Sequence, residues 1–216
     1  MLRVAVKLSV APGRIGDYLA DVAALEAAGA DSIWLDAANE ASTEAWIHLG
    51  AIAAVTHRVR LGVTVDPTGG WPSGVDVLER LTSGRVVVGM PRGSEATALF
   101  EQLKRWRAAS PSPSTLIICG SYAEAERSVA PAHGVIVSGG EEEVRALRAK
   151  RGPDREFELW VDVPVPADKA GWAHMIAALE TAGATGIVVP WDPRLIDLLR
   201  SGGEPDDRSD LLISTG

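Results

Sequence analysis

Two glycine-containing segments are the parts of this chain whose residue types and spacing could bind an anion. Gly120-Ser-Tyr122 and Gly139-Gly-Glu141 each place small residues between an apolar run and a helical pattern. Such a turn leaves backbone N–H groups free to face a phosphate. The alternative is that glycine only makes a tight turn possible there. The amide groups of Gly120, Ser121, Gly139 and Gly140 are therefore candidate phosphate ligands.

Arg92 and Asp36 are the charged candidates for a catalytic or binding role. Arg92 follows the apolar run 85–90 and could pair with a phosphate or a carboxylate, or be a solvated loop arginine. Asp36 ends the apolar run 32–36 and could be a polar pocket group or a cap on the following turn. The sequence names no further catalytic acid or base.

Metal chemistry and the common catalytic motifs find no support in the sequence. The four histidines are far apart, and none has a second ligand at helical or turn spacing (His48, His57, His133 and His174). There is no nucleophile elbow, P-loop or dinucleotide fingerprint. Trp71 and Trp191 fall in predicted loops, where they could stack on a planar ligand or simply cover a core.

Alternating short apolar runs and helical patterns predict the elements that position these residues. Eight strands are predicted, at 4–9, 32–36, 59–65, 85–90, 115–119, 134–138, 158–163 and 186–190. Helices are predicted between and after them, at 15–28, 45–56, 74–82, 95–108, 123–130, 141–150, 169–182 and 193–200. Strict alternation and continuously apolar strands indicate a parallel sheet covered on both faces. Eight units of 27 residues each predict a compact (β/α)8 TIM barrel, whose active site lies after the strands.

An internal sequence repeat supports the count of eight strand–helix units. Residues 22–33 return as residues 176–187 with the same Ala-Gly-Ala join, an offset of 154 residues or about six units. Gly29 and Gly183 are predicted to end a helix in the left-handed conformation just before a strand. The repeat has two possible explanations, a true duplication or convergence on a favourable helix-to-strand join.

Composition predicts one barrel domain over residues 1–201 and a polar, acidic tail over 202–216. The net charge is −8, and the 17 arginines and 4 lysines are scattered, which disfavours nucleic-acid binding. No apolar stretch is long enough to span a membrane, and Cys119 alone cannot form an internal disulfide. A cytoplasmic protein without membrane contact is expected.

Three blocks in order resemble the luciferase-like monooxygenase superfamily. The first is Leu25-Glu-Ala-Ala-Gly-Ala-Asp-Ser-Ile-Trp-Leu35, with a Gly-Ala-Asp join and a tryptophan strand. The second is Leu49-Gly-Ala-Ile-Ala-Ala-Val-Thr-His-Arg-Val-Arg-Leu-Gly62, and the third is Leu81-Thr-Ser-Gly-Arg-Val-Val-Val-Gly89. The match is continuous over residues 14–93 and fainter beyond them.

The resemblance implies a luciferase-like (β/α)8 barrel that binds FMN or a deazaflavin coenzyme over its mouth and oxidises or reduces a small organic substrate. It implies ring contacts from Thr64 and Val65, beside a bulge at residues 63–66. Arg92 or Gly93 would flank the ring, and Gly120, Ser121, Gly139 and Gly140 would contact the phosphate. Family members are often dimers built on barrel helices, so a homodimer is expected.

The sequence also departs from the family pattern. The acidic residue and histidine that commonly follow the second strand are Ala37 and Ala38 here, and Trp71 stands where a histidine is common. These changes keep an alternative open, a degenerate barrel that binds flavin without turnover, or has lost the cofactor and serves as an interaction protein. A barrel isomerase or lyase is a third interpretation, for which the sequence shows no evident lysine or carboxylate pair at strand ends.

Overall fold

The computed structural model describes residues 1–9, 14–36, 42–65, 71–90, 115–120, 133–152 and 156–201. Its strands are β1 (Arg3–Leu8), β2 (Ser32–Asp36), β3 (Arg60–Thr64), β4 (Val86–Met90), β5 (Thr115–Gly120), β6 (Gly134–Ser138), β7 (Glu158–Asp162) and β8 (Gly186–Pro190). Its helices are α1 (Ile15–Ala28), α2 (Ser42–Val55), α3 (Trp71–Thr82), α4 (Glu141–Arg151), α5 (Lys169–Ala182) and α6 (Leu195–Ser201). The predicted strands are all present, with ends that differ by one residue at most.

All neighbouring strands are parallel and pair in chain order, and β8 also pairs with β1, so the strands form a closed barrel. The predicted α/β class with a parallel sheet is confirmed. The helices predicted at 95–108 and 123–130 and the tail at 202–216 lie outside the described residues. The full set of eight helices therefore stays a prediction.

Alternation along the strands produces two separate cores. On the strands whose side chains the structure describes, one face packs under the helices, as Val4, Val6 and Leu8 of β1 do. The other face points into the barrel, where a smaller apolar cluster contains Ala5, Val87, Ile136, Val188 and two tryptophans. Because side chains alternate in a strand, membership of either cluster tells which way every strand residue points.

Trp34 and Trp160 fill the middle of the barrel and are almost completely buried. A Cβ atom at Gly62 would overlap the Trp34 ring, and one at Gly186 would overlap the Trp160 ring. The two glycines therefore provide the space that the indoles occupy, and close packing leaves the barrel without an open channel. The Trp34 Nε1–H donates to Ser32 Oγ at 3.1 Å, so its polar atom is satisfied inside the core.

An ionic cluster lies at the end of the barrel that is formed by the amino ends of the strands. Arg60 binds Asp31 at 2.6 Å and Glu158 at 3.1 Å, and Arg3 binds Glu158 at 2.9 Å. Burial acts to raise the pKa of Glu158, but the charge of Arg60 and hydrogen bonds from Trp160 and Arg3 lower it below its ordinary value. The two arginines and two carboxylates balance in charge, which indicates that this cluster contributes to stability rather than to chemistry.

The two copies of the Ala-Gly-Ala join have the same conformation. Gly29 ends α1 with φ 99° and ψ 19°, and Gly183 ends α5 with φ 99° and ψ 15°. Both glycines are left-handed, and the following alanine amide donates to a carbonyl five residues back, from Ala30 to Leu25 and from Ala184 to Leu179. The prediction that glycine ends these helices is confirmed.

No helix among the described residues is long and apolar enough to cross a membrane.

Candidate functional site

The mouth of the barrel, at the carboxyl ends of the strands, carries polar side chains that point inward. Ala5 of β1 and Trp160 of β7 face the inside of the barrel, and the residues next to them face outward. Lys7 and Asp162 lie two residues further along the same strands, so they also face inward. The same reasoning turns Thr64 of β3 and Ser138 of β6 inward. Lys7, Ser138 and Asp162 are exposed, and Thr64 is half-buried. The mouth is therefore polar and open to water at these positions.

The strand register places three of these residues in one layer. Lys7 pairs with Trp34, which pairs with Gly62, and on the other side Ala5 pairs with Val188, which pairs with Asp162. An eight-stranded barrel of this kind shifts by one residue per strand at constant height. Lys7, Thr64 and Asp162 consequently lie at the same height, with Thr64 and Asp162 on opposite sides of the mouth.

Sequence reasoning missed Lys7 and Asp162 as mouth residues. Both lie in strands that are predicted from their apolar residues. Every second position on a barrel strand faces the interior, and this includes polar positions. The signal that could have found them is the alternation itself, since Trp160 and Asp162 are two residues apart on one strand. The sequence shows no evident lysine at a strand end for an isomerase or lyase. This expectation is wrong, because Lys7 lies at the mouth end of β1.

Trp191 lies at the mouth as predicted, beside a groove of about 400 Å³ between the ends of β1 and β8 and helix α1. Trp191 is half-buried, and its backbone N–H donates to the Lys7 carbonyl at 2.9 Å. Charged residues of both signs share the groove with aromatic and apolar ones. Its lining residues are Lys7, Leu8, Ser9, Arg14, Asp17, Tyr18, Asp21, Pro190 and Trp191.

Of the two ring contacts expected on β3, Thr64 and Val65, the structure turns only one side chain toward the mouth. Thr64 faces the mouth, but the side chain of Val65 is buried in the core beneath the helices. A contact from Val65 to a ring is therefore limited to its backbone. Pairing with β4 is regular through Val65, whose N–H donates to the Gly89 carbonyl at 2.9 Å, so residues 63–65 form no bulge. Asp66 lies outside the described residues.

The turn from β6 to α4 places Gly139 and Gly140 at the mouth, as predicted, but its hydrogen bonding is unexpected. The Gly140 N–H donates to Glu143 Oε2 at 2.9 Å. Three successive glutamates occupy the first turn of α4, Glu141, Glu142 and Glu143. A phosphate at Gly140 would have to displace a carboxylate and meet two more. The sequence contains the signal, because a glutamate three residues after a helix-capping position often returns to the cap.

The other predicted site residues are placed by their backbones or lie outside the described part. Asp36 is the last residue of β2, paired with Thr64, and Gly120 is the last residue of β5, paired with Val137. Arg92, Gly93, Ser121, Ala37 and Ala38 lie outside the described residues. Trp71, predicted in a loop, is instead the first residue of α3. The correction has a physical reason, since Pro72 favours the first turn of a helix.

An exposed ion pair connects the turns that follow β7 and β8. Arg194 binds Asp192 at 2.8 Å and donates to the carbonyls of Pro166 and Ala167 at 3.3 and 3.1 Å. Hydrogen bonds from Arg194 lower the pKa of Asp192 to about 2. This side of the rim is therefore held in place at neutral pH. Within the described residues, no group of three or more His, Cys, Asp or Glu side chains could hold a metal ion.

Comparison with known proteins gives matches in structure alone. No family model matches the chain, and no curated protein matches its sequence. An F420-dependent secondary alcohol dehydrogenase in complex with an F420-acetone adduct superposes with a TM-score of 0.72 at 12% identity, over 92% of this chain and 96% of that one. QR15, an aldolase, gives a TM-score of 0.60 at 12% identity, over 88% and 89%.

A long-chain alkane monooxygenase, LadA, gives a TM-score of 0.57 at 12% identity, over 84% of this chain and 69% of that one. The dehydrogenase and LadA are luciferase-like enzymes, so the resemblance found in the sequence blocks is confirmed at the level of the fold. At this identity the likeness shows the fold alone.

Proposed function

We propose that this chain is a luciferase-like oxidoreductase of the complete (β/α)8 type, which uses a flavin or a deazaflavin to oxidise or reduce a small organic substrate. The observation that carries the proposal is the match to the F420-dependent alcohol dehydrogenase, because it extends over nearly the whole of both chains. The aldolase scores lower at similar coverage. LadA scores no higher than the aldolase, so the sequence blocks at 14–93 are the second support.

The described residues fit a planar ring at the mouth. Trp34 and Trp160 fill the barrel below, so a ring stays at the rim, where the Thr64 side chain forms one edge. Arg92 and Gly93 would flank the ring, and the turns at Gly120–Ser121 and Gly139–Gly140 would approach its polar side chain. A bound flavin or deazaflavin supplies the acceptor or donor of a hydride. The protein orients the ring and the substrate and moves the accompanying proton.

Ligand binding is the first test of the proposal. Purified protein is titrated with FMN, riboflavin and a 5-deazaflavin while tryptophan fluorescence and ligand absorbance are recorded. Saturable quenching is expected, because Trp191 lies at the mouth and Trp34 fills the barrel below it. Thr64→Gln should weaken ring binding roughly tenfold by filling the shelf. Thr181→Gln, on the outside of α5, is the matched control and should bind as the unaltered protein does. If no ligand perturbs either signal, the proposal fails.

Turnover separates the proposed enzyme from a barrel that only binds a flavin. The loaded protein is incubated with small alcohols, aldehydes and NAD(P)H, and reduction or oxidation of the bound ring is followed by absorbance. Catalysis is expected, since the dehydrogenase, the aldolase and LadA are all enzymes. Saturable binding without any turnover would instead support the alternative drawn from Ala37 and Ala38, a non-catalytic binding or interaction protein.

A further inference from the structure

The turn between β6 and α4 is closed by a carboxylate of the chain itself. Glu143 Oε2 accepts the Gly140 N–H at 2.9 Å. A Cβ atom on Gly139 would lie 3.2 Å from Cβ and Cγ of Glu143, which shows that this side chain folds back over the turn. An entering anion would therefore meet a carboxylate where a glycine turn normally offers a free amide.

The charge at this helix end also opposes an anion. Helix N-termini attract anions through free N–H groups and the helix dipole. In α4 one of these groups, the Gly140 N–H, already donates to Glu143, and Glu141 and Glu142 lie in the same turn. Arg145 pairs with Glu141 at 2.6 Å and offsets that charge, so the negative charge that opposes an anion here is mainly that of Glu142 and Glu143.

The described ends of the two neighbouring strands, β5 and β7, carry no positively charged residue. Gly120 ends β5 directly beside β6, where it pairs with Val137. Adjacent strands are about 4.8 Å apart, so a phosphate above Gly120 stays within roughly 10 Å of the α4 carboxylates. On the other side of β6, the exposed Asp162 ends β7. Negative charge thus lies on two sides of the turn within about one screening length.

We propose that Glu143 makes the mouth selective for a flavin-type ring without a terminal phosphate, such as riboflavin or 5-deazariboflavin, over the same ring with a phosphate. This inference rests on the proposed function and narrows it. Glu143 is a specificity-determining residue in this reading, because it occupies the amide that would recognise the phosphate and repels its charge. The neutral ring ligand needs neither the amide nor a compensating cation.

The test compares ligands that differ only in the phosphate. Dissociation constants are measured by tryptophan fluorescence for riboflavin and FMN, and for 5-deazariboflavin and its 5′-phosphate. The non-phosphorylated ligand of each pair should bind roughly tenfold more tightly at low salt, and the difference should shrink in concentrated salt. The readout is binding alone, so it needs no catalytic activity.

Three variants separate the hydrogen bond from the charge. Glu143→Gln removes the charge and keeps an acceptor for Gly140, so it should reduce the preference several-fold. Glu143→Ala also frees the N–H and should make FMN bind about as tightly as riboflavin. Glu142→Gln is the matched control, because it removes a charge from the same turn without touching Gly140, and it should change the preference about twofold at most.

The results distinguish this inference from the proposed function. Wild-type protein that binds FMN as tightly as riboflavin, or a preference that Glu143→Ala leaves unchanged, overturns the role of Glu143 while flavin binding stands. Wild-type protein that binds no ligand of either pair overturns the proposed function and, with it, the inference. Circular dichroism of each variant shows whether α4 is retained, and Glu143→Gln decides the outcome if Glu143→Ala does not fold.

Discussion

Neighbouring residues at the end of β3 present their side chains to opposite sides of the barrel wall. Thr64 and Val65 are neighbours in the same predicted site, yet one faces the mouth and the other the helix layer. The alternation of a strand is visible in the sequence, but its phase is known only when a buried partner is identified. Here Trp160 fixes the phase of β7 and reveals Asp162.

Asp162 is an inward-facing carboxylate at the described part of the mouth, and under the proposed function we expect it to handle a substrate proton. It is exposed at the mouth, opposite Thr64, and Lys7 lies at the same height between them. We expect Asp162→Asn to lower kcat at least about 100-fold with an alcohol or carbonyl substrate, the usual cost of losing an acid–base group. Steady-state kinetics at saturating substrate measures this loss of kcat.

The control for this prediction is Asp197→Asn on the exposed face of α6, which should leave kcat unchanged. Flavin affinity should also stay within about twofold in Asp162→Asn, because a neutral amide of the same size remains at the rim. An unaltered kcat in this variant would show that another group handles the proton.

At the scale of elements, helix ends were predicted well where glycine determines them. Gly29 and Gly183 end α1 and α5 because their left-handed conformation suits no other residue type as well. The start of α3 was predicted three residues late, at Gly74 instead of Trp71. The apolar period begins only at Val75, so the first turn with Pro72 carries no periodic signal.

Glu26 joins two elements that are distant in sequence. This residue of α1 accepts the backbone N–H groups of His57, Arg58 and Val59 at 2.9, 2.7 and 2.8 Å, just before β3 begins. Burial acts to raise the pKa of Glu26, but these three hydrogen bonds and the charge of Arg58 lower it overall. The carboxylate thus fixes the α2–β3 turn against α1.

We expect Glu26→Gln to lower the free energy of unfolding by about 1–3 kcal/mol at pH 7, since an amide oxygen accepts less strongly than a carboxylate. A group whose pKa is lowered on folding stabilises the protein above its unfolded pKa and loses that effect as pH falls through the folded value. The variant should therefore differ from wild type at pH 7, and the difference should shrink as the pH falls below the ordinary pKa of a glutamate.

Urea unfolding at several pH values measures this difference. Glu44→Gln, an exposed acid in the first turn of α2, is the control and should unfold close to wild type at each pH. A Glu26→Gln difference that persists unchanged into acid would show that the carboxylate charge is not what holds the turn.

At the scale of the molecule, the fold was the most predictable property, because it needs only the count and order of elements. Residue-level function was the least predictable, since the roles proposed for Glu143 and Asp162 depend on side-chain directions that the sequence shows only once the start of α4 and the phase of β7 are known. Charge also operates at this scale. With a net charge of −8, two copies of the chain repel each other unless they meet on a surface without carboxylates.

The outer face of α2 beyond its first turn is such a surface, and we propose that it forms the expected homodimer together with the exposed apolar side chains of the neighbouring α3. Of the helices in the described part of the chain, only α2 has no charged residue after its first turn. Ile47 on α2 and Val77 and Leu81 on α3 are large apolar side chains that are 46–66% exposed. A helix that is apolar all round is normally covered.

Sedimentation velocity at micromolar concentration is expected to show a dimer for wild type. Ile47→Glu should give a monomer, because two buried carboxylates would face each other across the interface. Ala173→Glu, at an exposed position of α5, should remain dimeric. A monomeric wild type, or a dimer that tolerates Ile47→Glu, would place the contact elsewhere or remove it.

Each indole in the barrel centre sits on a glycine that no other residue can replace. Trp34 requires Gly62, and Trp160 requires Gly186, because any larger side chain would occupy the ring's own volume. Conversely, losing either indole leaves a void that its glycine cannot refill. Neither partner of a pair can drift alone, so positions 34 and 62, and likewise 160 and 186, should evolve as linked units in the descendants of this sequence.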